Sequence, residues 1–571
     1  MKLIIREYLA SLRERNELDS LLPDLLSQMG LEVFSKPGVG NRQYGVDVAA
    51  YGSIEGEAEK VYLFSVKSGD LGRKDWNSGS VQDLRPSLDE IRDIYIPTLL
   101  PEEYKNKQIE ICICIGGDVK QEVDIDISSY EKKHSTQELS FSRWGGEKLS
   151  AHIEKHLLKE ELLPDNCHRL LRKSLAMLDE PDISVKHYRQ LVHSLSTKDY
   201  KKKKDKLTAV RQLYLCLWII YSWCREADNV EAAYQAGEIS LLHAWELSRK
   251  HLGKKDKTSK SILQTTNAIL LLNIQINRHF FEEKIFPHVG SLYALSNAVR
   301  PSCHLDTNLK LFDILGRMAL SGLWLYWYLG KFQDYDGFKD ICRAFQNLID
   351  KYHESMKELI TNNPVLFTPI KDDQAIDITL AILFLAVEPR NKKDIHALLS
   401  RTTGAIRYLF ACEESYPCHL HEYHELLDHP QKDEDGYKDR VTQASILYPY
   451  IATFSALFGF DDVYEQIQEL KKDQLPHCNF QFWYPDETSE KHYYINDDIH
   501  GAILSHLPIE EDQSSFLDII FKECSESHHY KDLSAIQYGL RPLILMAARH
   551  YRLPVPVHYL KNYWKQEPAN D

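Results

Sequence analysis

Residues 45–67 read GVDVAAYGSIEGEAEKVYLFSVK, and this stretch decides the fold of the amino-terminal region. It predicts two strands joined by an acidic hairpin, with Asp47 on the first and Ser65 and Lys67 closing the second. Side chains on a strand alternate faces, so Ser65 and Lys67 share a face while Val66 points to the other. Val61-Tyr62-Leu63-Phe64 is the unbroken apolar run expected of a strand covered on both sides. A lysine ending such a strand is costly to bury without an anionic partner. Asp47 on the neighbouring strand is one candidate partner; a metal and a phosphate shared by the two residues is the other.

Working outward, Met1 to Met29 is predicted to be helical, with Leu18, Leu21, Leu22, Leu25 and Leu26 as its apolar stripe and Gly30 as its end. Pro23 has no N–H to give the carbonyl of Asp19, so a kink or a new helix start is expected there. Leu31 to Phe34 reads as a short strand, and Lys36 to Gly45 as a glycine-rich loop. That loop lacks the Gly-Lys-Ser/Thr ending of a phosphate-cradling loop and precedes a strand, which argues against nucleotide binding there. After Lys67, Ser68 to Ser80 is polar and carries Arg73, Lys74 and Trp76. Leu84 to Tyr95 has helical spacing, Gln108 to Ile115 and Leu139 to Trp144 read as strands, and Glu147 to Leu158 as an amphipathic helix. The expected order is helix, three strands, helix, two strands, helix: a layered α/β domain over residues 1–160.

This unit resembles the PD-(D/E)xK restriction-endonuclease-like superfamily, in particular its Mrr-like and antiphage-defence branch. Gly45-Val-Asp47 matches the family's G-x-D, and Ser65-Val-Lys67 sits where its acid-or-glutamine, any residue and lysine belong. Counting back about eleven residues from Gly30 reaches Asp19 as the helix acid, with Glu17 as the fallback. The resemblance implies a catalytic set of Asp47, Lys67, Ser65 and Asp19, with Mg²⁺ or Mn²⁺ held by Asp47, the Val66 carbonyl and Asp19. A hard cation of this kind takes oxygen ligands, neutralises the scissile phosphate and acidifies a water. Lys67 would orient that water and stabilise charge on the phosphate. Arg42, Arg73 and Lys74 would meet the DNA backbone, with Trp76 against a base. Ser65 departs from the family pattern and removes one direct metal ligand; Asp70 is a possible substitute.

The whole chain bounds these expectations. At 571 residues it exceeds one ordinary core, so two to four domains are expected. Its net charge of −15 means that nucleic-acid binding must be confined to a local patch or to an assembly. The eleven cysteines follow no regular spacing, and reduced, buried thiols in a cytoplasmic protein are expected. The longest apolar stretches, Leu213 to Trp223 and Ile376 to Val387, fall short of the ~20 residues that span a bilayer.

From Leu162 onward strand signals nearly vanish, and residues 161–571 read as a large all-α region, an irregular helical-repeat-like array with a possible subdivision near 430. Lys201 to Lys206 is a basic run read as a solvated linker. Helices are expected over Leu207 to Glu226, Val230 to His251, Lys260 to Phe281, Leu309 to Tyr328, Tyr335 to Ile360, Ala375 to Val387 and Lys393 to Phe410. Leu315 to Phe332 places small residues at helix contacts and resembles one tetratricopeptide-type hairpin, but the period does not recur. Cys412, Cys418, His419, His421 and His424 suit zinc by type but not by spacing, so a loop with scattered histidines is expected. Leu533 to Tyr551 is read as one helix despite Pro542, with Arg541, Arg549, His550 and Arg552 as a basic contact face.

The expectation is therefore a metal-dependent nuclease cutting DNA, an effector of prokaryotic antiphage defence regulated through its helical region. That region would carry a protein partner or a homo-oligomer contact. The alternative is a nuclease-fold scaffold without catalysis, used as a protein-interaction module; RNA is the other possible substrate.

Overall fold

Helix α1 (Asp19–Gln28) leads into five strands: β1 (Glu32–Ser35), β2 (Val48–Gly52), β3 (Lys60–Lys67), β4 (Ile109–Ile115) and β5 (Leu139–Trp144). The computed structural model describes residues 5–6, 9–10, 12, 14, 18–36, 44–80, 83–156, 167–299, 301–331, 339–429, 434–496, 498 and 500–563. The strands form one mixed sheet in the order β1-β2-β3-β4-β5. β2 runs antiparallel to β1 and to β3, with Val48 opposite Phe64. β3, β4 and β5 are parallel, with Lys67 beside Ile115 and Ile113 beside Arg143.

Parallel neighbours cannot be joined by a tight turn; each connection needs a crossover. α2 (Leu84–Glu90), continued by a wide π-type turn over Ile91–Leu99, lies between β3 and β4. α3 (Gln121–His134) lies between β4 and β5. The sequence reading contained no helix there. Its Val123, Ile127 and Tyr130 are buried, but Ile125 is 79% exposed and blurs the apolar period. Arg143 of β5 ties α3 down by donating to Asp124 and to Glu131, the latter at 2.7 Å. α4 (Gly146–His156) follows β5.

Both faces of β3 are covered, and Val61 to Val66 are all buried. Val61, Leu63, Ile111, Ile113 and Ile115 pack with Leu84, Leu88 and Ile127 on one face. Phe64, on the other, meets Trp144 edge-on at 5.1 Å. Each such aliphatic side chain, fully buried, contributes roughly 1.5–3 kcal/mol. Pro23 sits inside α1 without ending or restarting it, so of the two expected outcomes a new helix start is not found. Glu14 and Leu18, just upstream, each have π-type helical backbone. Glu17 and Arg42 lie outside the described residues.

The chain divides into two compact units, Met1–Ser240 with Gly253–Ile269, and Leu241–Leu252 with Leu270–Asp571. The first therefore runs beyond residue 160 and includes α5 (Lys203–Glu226), whose first turn takes up part of the basic run. Arg211 of α5 is buried beside Asp24 at 3.7 Å and donates to Gln28 at 2.9 Å. The second unit is helical apart from short two-stranded pairs. It contains α6 (His304–Gly330), α7 (Lys339–Asn362), α8 (Ala375–Leu385), α9 (Gln513–Glu526) and α10 (Arg541–Tyr551). Gly322 of α6 lets the ring of Phe384 of α8 approach so closely that a Cβ would lie 2.3 Å from its Cζ.

Two tail expectations are corrected. Residues 533–551 are not one helix: Ser534–Gln537 is a separate turn, and Pro542 stands in the first turn of α10, where a missing N–H costs nothing. The basic residues do not form an open face. Arg549 is buried against Asp313 at 2.8 Å, and Arg552, at φ 55°, reaches Asp377 at 2.9 Å and Asp373 at 3.0 Å. All eleven cysteines are free thiols, Cys112, Cys114, Cys216 and Cys224 among the buried ones. Among the described residues no helix is long and apolar enough to cross a membrane.

Candidate active site

The geometry starts at Gly45. Its φ is +80°, and a Cβ there would lie 2.2 Å from the carbonyl oxygen of Ser87 in α2, so only glycine fits. This contact presses the loop onto α2 and fixes the approach to β2. Asp47 occupies the bend just before β2, and its backbone N–H donates to the Phe64 carbonyl at 2.8 Å. Its carboxylate accepts the Val66 N–H at 2.7 Å, replacing the next rung between β2 and β3. The N–H and C=O of one strand residue point to the same side, so the Val66 carbonyl also faces the Asp47 side.

Lys67 ends β3 with only 13% of its side chain exposed. Its partner is Glu14, whose two carboxylate oxygens accept from Nζ at 3.4 and 3.3 Å. The lysine's anion thus comes from the turn before α1, and Asp47 is engaged by the strand backbone. Sequence counting selected Asp19 or Glu17 as the helix acid and missed Glu14. Glu14 lies three residues upstream of Glu17, beyond the positions reached by counting back from Gly30.

Asp19 is buried at 7% exposure and accepts from Ser20 Oγ at 3.3 Å. It lies near enough to act on Asp47 electrostatically. Burial pushes the Asp47 carboxyl up to about 6. The Val66 N–H and the Lys67 ammonium pull it down, and the charges of Glu14 and Asp19 push it further up. Three carboxylates against one ammonium leave an excess of negative charge that a divalent cation would offset.

No family profile, no curated protein and no solved structure matches this chain.

The carboxylates of Glu14, Asp19 and Asp47 are not among groups whose ligand atoms all lie within 4.8 Å of one another. Mg²⁺ does not require that, because it keeps several waters and takes one or two carboxylates. Oxygen donors of the type such an ion takes are present: the Asp47 carboxylate and the Val66 carbonyl on its side, with the Glu14 and Asp19 carboxylates near enough to act on Asp47 electrostatically. Ser65 is 1% exposed and brings no charge. Asp70 Oδ1 accepts the Asp118 N–H at 3.0 Å and braces the loop after β4.

Of the residues read as DNA contacts, Arg73 and Lys74 are exposed on a short helix, Arg73–Asn77. Trp76, on the same helix, is not available to a base. It is 6% exposed and meets Tyr130 edge-on at 5.7 Å.

Proposed function

We propose that the first unit is a Mg²⁺- or Mn²⁺-dependent nuclease hydrolysing DNA phosphodiester bonds, an effector of prokaryotic antiphage defence regulated by its helical part. The observation that carries this reading is that Asp47, seated on the Val66 amide, and the Lys67–Glu14 pair lie at one end of a mixed β-sheet, near enough for both charges to act on the Asp47 carboxyl. When bound, the ion would neutralise the phosphate and acidify a water. Asp47 and the Val66 carbonyl would hold it, with Glu14 or Asp19 beside them. Lys67, fixed in direction by Glu14, would donate to the water or to the phosphate oxygen as charge develops there. Exposed Arg73 and Lys74 would meet the strand backbone.

The test has two parts. Full-length protein is incubated with plasmid or RNA and Mg²⁺ or Mn²⁺, beside Asp47→Ala and Lys67→Ala; cutting that survives both substitutions overturns the mechanism. Mn²⁺ is also titrated calorimetrically into wild type and Asp47→Ala. Binding lost in the variant supports the site, and no binding to wild type overturns it.

The second reading is a scaffold without catalysis. Buried, uncharged Ser65 favours it, because it stands where the resemblance puts an acid or glutamine. It requires that Mn²⁺ produce no binding heat that depends on Asp47.

A further inference from the structure

Outside the nuclease-like site, we propose a second metal site, for a divalent first-row transition ion, formed by His528, His529 and Asp532 on the turn after α9. Among the described residues this is the only group of three or more histidine, cysteine, aspartate or glutamate side chains whose ligand atoms all lie within 4.8 Å of one another. Three atoms so placed share a point at most about 2.8 Å from each, within about 0.7 Å of the 2.0–2.2 Å bonds of zinc. Rotation of surface side chains closes that gap.

The ligand type selects the ion. Two imidazoles and one carboxylate suit Zn²⁺, Co²⁺, Ni²⁺ or Cu²⁺, whereas Mg²⁺ and Ca²⁺ prefer oxygen alone. The rings of His528 and His529 are already paired, with centroids 4.3 Å apart. Their exposure leaves positions open for water or a further ligand.

The backbone beneath is held in place. The N–H of Ser527 donates to the Glu523 carbonyl at 2.8 Å at the end of α9, and that of Lys531 to the His528 carbonyl at 2.9 Å. Between the ligands, Tyr530 points the other way and stacks on His558 at 4.2 Å with the rings 5° apart. Leu533 is buried on the far side. Tyr530 and Leu533 thus anchor the turn while His528 and Asp532 are exposed and His529 is half-buried, which is how a preorganised surface site is built. The cysteine- and histidine-rich stretch from Cys412 to His424 does not converge in this way: Cys418 is buried and directs its thiol to the Ile370 carbonyl at 3.5 Å.

The ion would cross-link the two ends of the turn that follows α9. Zn²⁺ is titrated into the full chain by calorimetry, with Co²⁺ absorption as a second readout of nitrogen ligation. One Zn²⁺ is expected to depend on this group and to bind equally to Asp47→Ala, which separates the site from the nuclease reading. His528→Ala and His529→Ala are each expected to weaken it at least about tenfold, since even losses outside the direct ligands cost 10–100-fold. Zn²⁺ should raise the melting temperature of wild type more than that of His528→Ala/His529→Ala. Zinc binding and thermal stabilisation unchanged in the double variant, or no zinc binding at all, would overturn the proposal.

Discussion

Glu14 closes on the ammonium of Lys67 at 3.3 Å, from a position 53 residues upstream and outside the sheet. The lysine therefore owes its position to a segment that precedes every strand. Glu14→Gln removes the charge and keeps the shape. If the first unit cuts DNA as proposed, Glu14→Gln is expected to lower that activity at least about tenfold, because a mispositioned catalytic group is costly. Leaving a largely buried ammonium without its anion should also cost roughly 1–3 kcal/mol. Plasmid cleavage and urea unfolding measure the two effects separately.

The Asp47 carboxyl titrates near 6 in the folded chain against 3.8 for the ordinary group. The folded state holds this proton more tightly than the unfolded state does. The group's contribution to stability is thus greatest below about 4, falls as the pH rises to about 6 and stays low above it. The total is at most about 3 kcal/mol. Asp47→Asn is therefore expected to be more stable than wild type at pH 7.5 in chelator, with the difference closing near pH 4. Equal stability at both pH values would show that Asp47 carries no such burden.

Gly322 faces a ring that cannot yield. Phe384 is stacked on His353 with centroids 4.1 Å apart, and His353 Nε2 lies 3.0 Å from the Phe384 carbonyl. Gly322→Ala should cost about 1–3 kcal/mol through overpacking. Phe384→Leu in the same chain should recover part of that, a coupling that a double-mutant cycle reads directly.

Arg552 lies between Asp373 and Asp377, and burial raises the Asp377 carboxyl to about 6 even with that cation beside it. Arg552→Ala would take the paired cation from buried Asp377, while Asp373 keeps Lys371 at 3.0 Å, at an expected cost of about 3–5 kcal/mol. Arg552→Lys should recover only part, because one ammonium cannot match a fork that reaches both acids. Denaturant midpoints for the two variants check the order.

The sheet was legible because its signals are local: the apolar run of β3 and the glycine that precedes Asp47 depend on near neighbours. The long helices from Lys203 to Ala411 were legible for the same reason, their apolar content being too high to mistake. What escaped depends on tertiary closure. Helix α3 hid behind outward-facing Ile125, although two adjacent parallel strands demand a crossover between them. Glu14 needed its pairing with Lys67 at the end of β3, and Trp76 needed the partner ring of Tyr130. Arg549 and Arg552 read as a surface face because the aspartates that claim them lie far away in sequence. The convergence of His528, His529 and Asp532 likewise needs the anchored turn beneath them.

The first unit is not one unbroken length of chain. It leaves at Ser240 and is completed by Gly253–Ile269, where Asp256 pairs with Lys203 at 2.9 Å and Lys257 lies 3.8 Å from Glu32. A gene cut at codon 240 would thus encode an unfinished body, and a ribosome must deliver residue 269 before it can close. Any shortened version intended to carry the Asp47–Lys67 site by itself has its natural stop beyond that point.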